Sequence, residues 1–329
     1  MLKRVDPMVQ LILVALLLAS LLPARGELRG AVQVLANAMV FVLFLLYGLK
    51  LARREVLAGI ANLRLLGPLT VWVFGVMAFA GWLLWHAAVP WLPPALALGF
   101  LYLGVLPSTV QSATVYTSIA GGNVASSVVA AALLNILGVF VSAPLFALLA
   151  GSNGAGFDLS SFAKVAGLML LPFVIGQIAQ GYAGRWVREH KRPVSFLERG
   201  TIGLAVYSAF SGAVIEGIWS RVDAAGWLGL VVGCLSLLVL GYGGSWLLGR
   251  SLGLGHGDRV AMVFGGAQKS VAMGAPLATV LFPPAVGGIV LMPLLVYHLA
   301  QMVVAAPVAA RLRYHDVPAE VPVQASSRK

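Results

Sequence analysis

Long apolar stretches of about twenty residues alternate with short polar segments along almost the whole chain. An α-helix needs roughly 20 mostly apolar residues to cross the hydrocarbon core of a bilayer, so each stretch predicts a membrane-spanning helix. The predicted fold class is an all-α polytopic membrane protein with ten spans. These spans are Val9–Pro23, Ala31–Leu49, Leu65–Trp85, Pro94–Ala120, Val124–Ala150, Phe162–Ala183, Leu197–Trp219, Gly226–Leu248, Val260–Phe282 and Ala285–Ala310.

The composition agrees with this pattern and excludes an ordinary soluble domain. Hydrophobic residues make up 60% of the 329 residues and charged residues 10%, whereas soluble domains carry about 25% charged residues. The net charge of +11 does not indicate a nucleic acid partner, because the basic residues lie in short loops between apolar spans. Cys234 is the one cysteine, and the sequence contains no Cys/His cluster, phosphate-binding loop or nucleophile motif. No cofactor and no metal site are therefore predicted.

The distribution of Lys and Arg predicts how the chain lies in the membrane. With ten spans, both termini and the even-numbered loops share one side, and that side carries most of the 22 Lys and Arg residues. Cytoplasmic loops are enriched in Lys and Arg, so we expect both termini in the cytoplasm. Lys3 and Arg4 ahead of a short apolar core also fit a signal peptide. The charge asymmetry favours reading that segment as the first of ten spans.

One charge lies far from any loop. Lys269 sits near the middle of the apolar run Val260–Phe282, after the pair Gly265-Gly266 and before the segment Gly274-Ala275-Pro276. A charge at bilayer depth costs at least ~2.5 kcal/mol, so it has to be paired, solvated or functional. Because transporters build sites near the bilayer midplane from interrupted helices, we place the function at this lysine.

The fourth predicted span contains a second interruption. Its first half is apolar, and the polar run Pro107–Thr114 follows. Pro107 has no N–H and frees carbonyl groups in the preceding turn. Such carbonyl groups are tolerated at membrane depth only where protein or a wet cavity meets them. If two interrupted helices cross at this depth, their C-terminal ends attract cations and their N-terminal ends attract anions.

The two halves of the chain share these features. Gln111-Ser112 in span four corresponds to Gln268-Lys269 in span nine, and the spans that follow end alike, in Ser142-Ala-Pro-Leu145 and Ala305-Ala-Pro-Val308. An odd number of spans per half gives the halves opposite orientations, the arrangement called an inverted repeat. The predicted divisions are 1–183 for spans one to six, 184–195 for a basic amphipathic cytoplasmic linker, 196–313 for spans seven to ten and 314–329 for a disordered cytoplasmic tail.

Two motifs resemble those of a known transporter family. They are Leu106-Pro-Ser-Thr-Val-Gln-Ser-Ala-Thr-Val-Tyr-Thr-Ser-Ile-Ala-Gly-Gly-Asn-Val124 and Phe264-Gly-Gly-Ala-Gln-Lys-Ser-Val-Ala-Met-Gly-Ala-Pro276. They resemble the bile acid:sodium symporter superfamily, and within it the bacterial symporter-like branch related to the vertebrate solute carrier 10 member seven. The resemblance implies two inverted five-helix repeats, with spans four and nine crossed in a core domain. It also implies a panel domain of spans one, two, six and seven, a solute in the crevice between the two domains, and a bacterial inner-membrane location.

The chain departs from the sodium-coupled members of that family at the positions that hold sodium. Those members carry a Ser-Asn pair where this chain has Ala113 and Thr114, and a Glu where it has Phe264. Of two hydroxyls in span five, Ser127 matches one and Ala131 replaces the other. We infer that Lys269 is a tethered cation in place of the metal ion. Coupling to Na⁺ is therefore doubtful, and Na⁺ or H⁺ coupling stays open.

The candidate site residues have two readings. The polar side chains at the interruptions either bind the solute or satisfy the broken backbone. Lys269 either contacts an anionic solute or pins the crossing, and whether it titrates is open. Glu216 is the candidate charge partner of Lys269, although its depth favours the crevice mouth or a pair with Arg221. The predicted solute-binding residues are Ser108, Thr109, Gln111, Ser112, Thr114, Ser127, Gln268, Lys269 and Ser270.

The predicted function is secondary transport of an organic, anionic solute by alternating access. The alternative is a regulator of ion homeostasis that transports nothing, because relatives of member seven resemble modulators of cellular calcium handling. An intramembrane enzyme is the least favoured class, since the sequence carries no acid–nucleophile constellation. The identity of the solute and the oligomeric state are not indicated by the sequence.

Overall fold

The structure is a computed structural model that describes residues 6–50, 62–151, 163, 166–217, 220 and 222–313. Every regular element in these ranges is a helix, which confirms the predicted all-α class. The helices are α1 (Pro7–Leu21), α2 (Gly26–Lys50), α3 (Leu63–Ala88), α4 (Pro94–Gly104), α5 (Gln111–Ile119), α6 (Val124–Ala150), α7 (Ala166–Glu189), α8 (Lys191–Ile215), α9 (Ala224–Ser251), α10 (His256–Ala267), α11 (Val271–Leu281) and α12 (Pro284–Leu312).

Several helices begin where the sequence supplies a cap. The carboxylate of Asp6 accepts a hydrogen bond from the N–H of Met8, and Pro7 occupies the first turn of α1. The amide oxygen of Asn123 accepts from the N–H of Ser126 at the start of α6. These side chains satisfy N–H groups that have no partner within their own helix, which fixes the first residue of each helix.

Six helices within the described ranges are long and apolar enough to cross a membrane, namely α2, α3, α6, α7, α9 and α12. Each of the ten predicted spans overlaps a helix or a pair of helices. Spans four and nine each appear as two short helices, α4 with α5 and α10 with α11. The stretch 184–195, predicted as a linker, continues α7 to Glu189 and begins α8 at Lys191. The predicted tail at 314–329 lies outside the described residues.

The helices form two groups that are joined through α8, which packs along α11 and α12 as well as along α1 and α2. We call α1, α2, α7 and α8 the panel group, because α2 packs along α7 and α8, and α1 packs along α8. Within it, α2 and α7 touch at Gly48 and Gly176, where a Cβ atom on Gly48 would lie 2.2 Å from the Phe173 carbonyl oxygen. The absence of side chains there lets the backbones approach closely, a frequent device of membrane helices.

The remaining helices form the core group, in which α4 packs between α3 and α12. Both α3 and α9 contain a turn of π-helix near mid-length, at Trp72–Val76 and Leu240–Gly244. A π turn disturbs the regular hydrogen-bond pattern of a helix and is often found at functional sites. The two irregular helices flank the place where the two interrupted helices meet.

Candidate functional site

The two helix interruptions are in direct contact. The N–H of Ser270, in the gap between α10 and α11, donates to the carbonyl oxygen of Pro107, in the gap between α4 and α5, at 3.0 Å. Gly138 of α6 lies under the Pro107 ring, where a Cβ atom would be 2.7 Å from a ring carbon. The ends of α4, α5, α10 and α11 meet at this contact, and we call this region the crossing.

The side chain of Lys269 lies inside this crossing, with none of its surface exposed. Its Nζ atom donates to the carbonyl oxygens of Gly104 at 2.8 Å and Leu106 at 2.7 Å, and a third carbonyl oxygen, that of Val73, lies at 3.4 Å. Three acceptors match the three N–H groups of an ammonium. The first two belong to the C-terminal end of α4, where the helix dipole is negative, so the charge lies where it is most strongly stabilised.

Two side chains of α6 satisfy other carbonyl groups at the end of α4. The hydroxyl of Ser142 donates to Val105 O at 2.9 Å. The amide of Asn135 donates to Ser108 O at 2.7 Å and to Ala131 O of its own helix at 2.9 Å. Together with Lys269, they leave few of the carbonyl groups freed by Pro107 without a partner, as buried backbone requires.

The second interruption is satisfied by neutral side chains of α12. The amide of Gln301 accepts from the N–H of Lys269 at 2.8 Å and donates to the carbonyl of Lys269 at 3.1 Å, so it binds that residue's backbone on both sides. The same amide nitrogen lies 2.8 Å from Nδ1 of His298. The hydroxyl of Tyr297 donates to Ala267 O at the end of α10 at 2.5 Å.

Gln268 joins the two interruptions through its side chain. Its amide oxygen accepts from the hydroxyl of Thr109 at 2.8 Å and from the hydroxyl of Ser112. Its amide nitrogen is buried and has no hydrogen-bond partner among the described residues. The buried indole N–H of Trp72 also lacks one. The Tyr242 hydroxyl faces the Gln268 amide and interacts with it, although no hydrogen bond of good distance and angle joins them. Polar groups left this way are uncommon, and water or a ligand usually completes them.

The structure divides the predicted site residues into two sets. Ser108, Gln268, Lys269 and Ser270 are buried in the crossing, whereas Gln111 is exposed. Thr109, Ser112 and Thr114 are partly exposed, although the hydroxyl oxygen of Thr114 is itself buried and has no hydrogen-bond partner among the described residues. Ser127 is buried one helix away, with its hydroxyl 3.2 Å from that of Thr117.

Glu216 lies just beyond the C-terminal end of α8. The amine of Lys269 takes carbonyl groups as its partners, and the ion pairs between described residues join Lys50 to Glu198 and Arg185 to Glu189. Arg221, the other proposed partner of Glu216, lies outside the described residues.

Three of the four positions at which the resemblance implies a departure from the sodium-coupled pattern are filled by apolar groups, whereas the fourth, Thr114, keeps a hydroxyl. Phe264 is buried, and its ring stacks on Tyr116 at 5.9 Å between centroids and meets Tyr242 edge-on at 6.0 Å. Ala113 and Ala131 are also buried. Their side chains offer no oxygen to a cation.

Gln301 and Tyr297 belong to the candidate site, and the sequence analysis missed them. Both are polar residues within the apolar stretch Ala285–Ala310, and they lie four positions apart, which places them on one face of a helix. That spacing was the available signal. Its meaning depends on which turn of α12 faces the interruption, and the sequence does not specify this.

Comparison with known proteins identifies the family of this chain. Residues 6–314 match the SBF-like CPA transporter family. A protein of Pseudomonas aeruginosa named “Uncharacterized protein PA2026” is 37% identical over 319 residues, covering 96% of each chain. The “Putative symporter YfeH” of Escherichia coli is 37% identical over 316 residues, covering 94% of each chain. “Sodium/bile acid cotransporter 7” of Mus musculus is 26% identical over 302 residues, covering 88% of this chain and 87% of its own.

These matches confirm the resemblance inferred from the two motifs and exclude the enzyme class, because the family and the Escherichia coli and Mus musculus relatives carry the names of transporters. The apolar helices agree with a multi-pass membrane protein. The crossing of two interrupted helices in an all-helical membrane fold and a family match over nearly the whole sequence lead to one assignment: the chain belongs to the SBF-like CPA transporter family.

Proposed function

We propose that this protein is a secondary transporter of a small organic anion that works by alternating access without coupling to Na⁺. The observation that carries the proposal is the contact of the buried Lys269 amine with Gly104 O and Leu106 O. In this proposal the amine occupies the place of a coupling ion and never leaves it.

Electrostatics supports independence from Na⁺. A second cation placed next to a buried ammonium is repelled, and the repulsion is strong because protein and lipid screen charges poorly. The side chains of Ala113, Ala131 and Phe264 supply no ligand that would offset this repulsion. A tight Na⁺ site at this crossing would need oxygen ligands that these three positions do not have.

The geometry of the crossing supports an anionic solute. Both α5 and α11 begin at the crossing, so the positive ends of two helix dipoles point toward the same region. Thr109, Ser112 and Thr114 are partly exposed beside it, and Gln111 is fully exposed. The buried amide N–H groups of Gln268, which face the Tyr242 hydroxyl, add further donors. Donors and positive dipole ends together favour a carboxylate or a similar group, as in other transporters with broken helices.

The order of the helices supports ten spans in an inverted repeat. In each half, a helix with a central π turn (α3 or α9) precedes an interrupted pair, and a long helix (α6 or α12) follows. An odd number of spans per half then places the two halves in opposite orientations. The basic ends of the helices, including Lys50 and Arg250, favour a bacterial inner membrane protein with both termini in the cytoplasm.

The test is thermal unfolding of the purified protein in detergent across a panel of organic anions, with and without Na⁺, at two pH values. A bound solute raises the free energy of unfolding by ~2.7 kcal/mol at a concentration about 100 times its dissociation constant. We expect at least one anion to raise the melting temperature equally with and without Na⁺. A shift that requires Na⁺ would contradict the proposed independence.

A matched pair of variants locates the binding. Ser112→Ala removes a hydroxyl beside the crossing, and Ser251→Ala removes an exposed hydroxyl at the end of α9 that bonds only to Leu248 O. We expect the response to the anion to weaken in Ser112→Ala and to persist in Ser251→Ala. A folded protein that responds to no solute would instead favour the regulator of ion homeostasis.

A further inference from the structure

The second halves of the two interrupted helices differ sharply in burial. Ten of the eleven residues of α11 are buried. In α5, which holds the corresponding place in the first half of the chain, two of nine residues are buried, Ala113 and Thr117. Elements that are equivalent in a repeat are expected to have similar surroundings, so the difference reports the arrangement of the helices around them.

Helices of the panel group cover α11. The amide nitrogen of Gln33 in α2 donates to the carbonyl oxygen of Thr279 in α11 at 3.3 Å and to Asn37 Oδ1 at 3.0 Å. The hydroxyl of Ser208 in α8 donates to the amide oxygen of Gln33 at 3.2 Å. One side chain therefore links two panel helices to the core group.

The backbones also meet at this end of the molecule. Gly288, in the first turns of α12, lies so close to α8 that a Cβ atom on it would be 2.2 Å from the Ala209 carbonyl oxygen and 2.8 Å from the Ala213 Cβ. The two helix groups are thus in contact at the end where α2 and α12 begin. A crevice between them is closed there.

At the other end, α5 has an exposed face of mixed character, on which Gln111 and Ser118 lie beside the apolar Val110, Val115 and Ile119. Its main contacts are with α6, α10 and α12, all of the core group. Gln111 and Ser118 are exposed and seven positions apart, so they lie on one face of the helix. Polar side chains at membrane depth face protein or water, not lipid. The two exposed polar residues, Gln111 and Ser118, therefore point to a crevice that is open toward the end of α5.

The open end is the basic end of the molecule. The turn after α5 lies beside the start of α10, where the Asn123 amide donates to the Asp258 carboxylate at 2.8 Å. Lys50, Arg64 and Arg250 mark the same end of α2, α3 and α9. By the distribution of positive charge, this is the cytoplasmic side.

We propose that Gln33 is the latch that closes the external end of the crevice, and that the structure is the state open to the cytoplasm. Opening the external end requires the bonds from Gln33 to Thr279 O and from Ser208 to Gln33 to break, and the Gly288 contact to separate. The role of this crevice as a path for solute rests on the proposed transport function. The latch determines only from which side of the membrane the space between the two helix groups is accessible.

The experiment measures labelling of single cysteines in a Cys234→Ala background, with a maleimide that does not cross membranes, in vesicles of known orientation. Ser118→Cys reports on the open end. Thr279→Cys reports on the latch and leaves the carbonyl acceptor of residue 279 in place. We expect Ser118→Cys to react from the cytoplasmic side and Thr279→Cys to be protected from the external side.

Adding Gln33→Leu should shift the population toward the opposite state. Loss of about one hydrogen bond predicts a rise of roughly fivefold in external labelling of Thr279→Cys, with a fall in cytoplasmic labelling of Ser118→Cys. Gln177→Leu is the matched control, because the Gln177 amide donates to Gly48 O at 2.5 Å inside the panel group. It should leave both labelling rates unchanged.

Gly288→Ala gives an independent test, since its methyl group has no room in the closed arrangement, and we expect it to raise external labelling as Gln33→Leu does. Unchanged labelling in Gln33→Leu would overturn the latch, and so would reaction of Ser118→Cys from the external side alone. The measurement needs no solute. A protein that binds no anion but switches accessibility would refute the transport proposal alone, whereas one that binds an anion with unaltered accessibility would refute the latch alone.

Discussion

Both interruptions leave backbone groups without partners in their own helix, and different side chains supply those partners at each one. At the end of α4, the freed carbonyl groups of Gly104 and Leu106 meet the charged Lys269, and neutral groups of α6 serve Val105 and Ser108. At the gap between α10 and α11, Gln301 and Tyr297 of α12 serve the backbone with no charge. A charge is used where the negative ends of carbonyl dipoles converge, and neutral amides suffice where an N–H and a C=O alternate.

The largest effect is expected for Lys269→Ala, which removes the charge from this comparison. It leaves two strongly bonded buried carbonyl groups without donors, and each such group costs about 1–3 kcal/mol. We expect a loss of about 3 kcal/mol in stability, measured by thermal or denaturant unfolding in detergent. A change below about 0.5 kcal/mol, the range of surface substitutions, would show that the amine contributes nothing to holding the crossing.

The same variant tests whether the amine stands in for an ion. The space left by the side chain should admit a small cation, so Na⁺ or methylammonium should raise the melting temperature of Lys269→Ala and not that of the parent protein. Lys269→Met, which fills the space with an apolar chain, is the control that should not respond. If the cation changed the melting temperature of all three proteins equally, the lysine would not be taking the place of an ion.

Gln301→Leu removes the uncharged amide that serves the second interruption. It should lower the free energy of unfolding by about 2 kcal/mol, because both the N–H and the C=O of Lys269 lose their partner. Gln301→Glu keeps an acceptor for the N–H but no donor for the carbonyl. It should therefore be the more destabilised of the two if the carboxylate stays charged. If Gln301→Leu were as stable as the parent protein in unfolding measurements, the hydrogen bonds from Gln301 to the Lys269 backbone would not contribute to stability.

Asn135→Leu removes the donor to Ser108 O while Lys269 stays in place. We expect a loss of about 1 kcal/mol, the usual net contribution of one buried hydrogen bond. A double variant with Gln301→Leu should show additive losses, since the two amides serve different interruptions. Strong coupling between them would indicate that the two interruptions behave as one unit.

Tyr297→Phe is expected to have the smallest effect, about 0.5–1 kcal/mol, because the ring keeps its packing and one hydrogen bond to Ala267 O is lost. Unfolding at equilibrium measures this loss. A cost as large as that of Lys269→Ala would remove the difference between the charged and the neutral interruption.

Helix ends that are set by residues next to them in the sequence were predictable. Span five was predicted as Val124–Ala150 and has those bounds, because Asn123 caps its start and Gly151, with φ of +59°, ends it. Span seven was predicted to begin at Leu197, yet α8 begins at Lys191. Hydropathy marks the length of helix that lies in lipid, and a charged first turn in water escapes it.

The site was predictable to the same extent. The cost of a charge at bilayer depth pointed to Lys269, and Pro107 with its polar run pointed to the first interruption. The partners of Lys269 were not predictable, because backbone carbonyl groups carry no signature in the sequence. The π turn at Trp72–Val76 brings Val73 O near the amine, and the sequence analysis did not predict it.

Because the Lys269 amine is part of the chain, it cannot supply the free energy that a dissociating cation supplies to transport. A carrier whose cation dissociates draws work from the concentration difference of that cation across the membrane. The amine of Lys269 is bound covalently to the chain, so it is delivered to neither compartment and no such work is available from it. Under the proposed function, net flux then follows the solute's own electrochemical gradient, unless a proton accompanies it. The direction of transport would reverse whenever that gradient reverses.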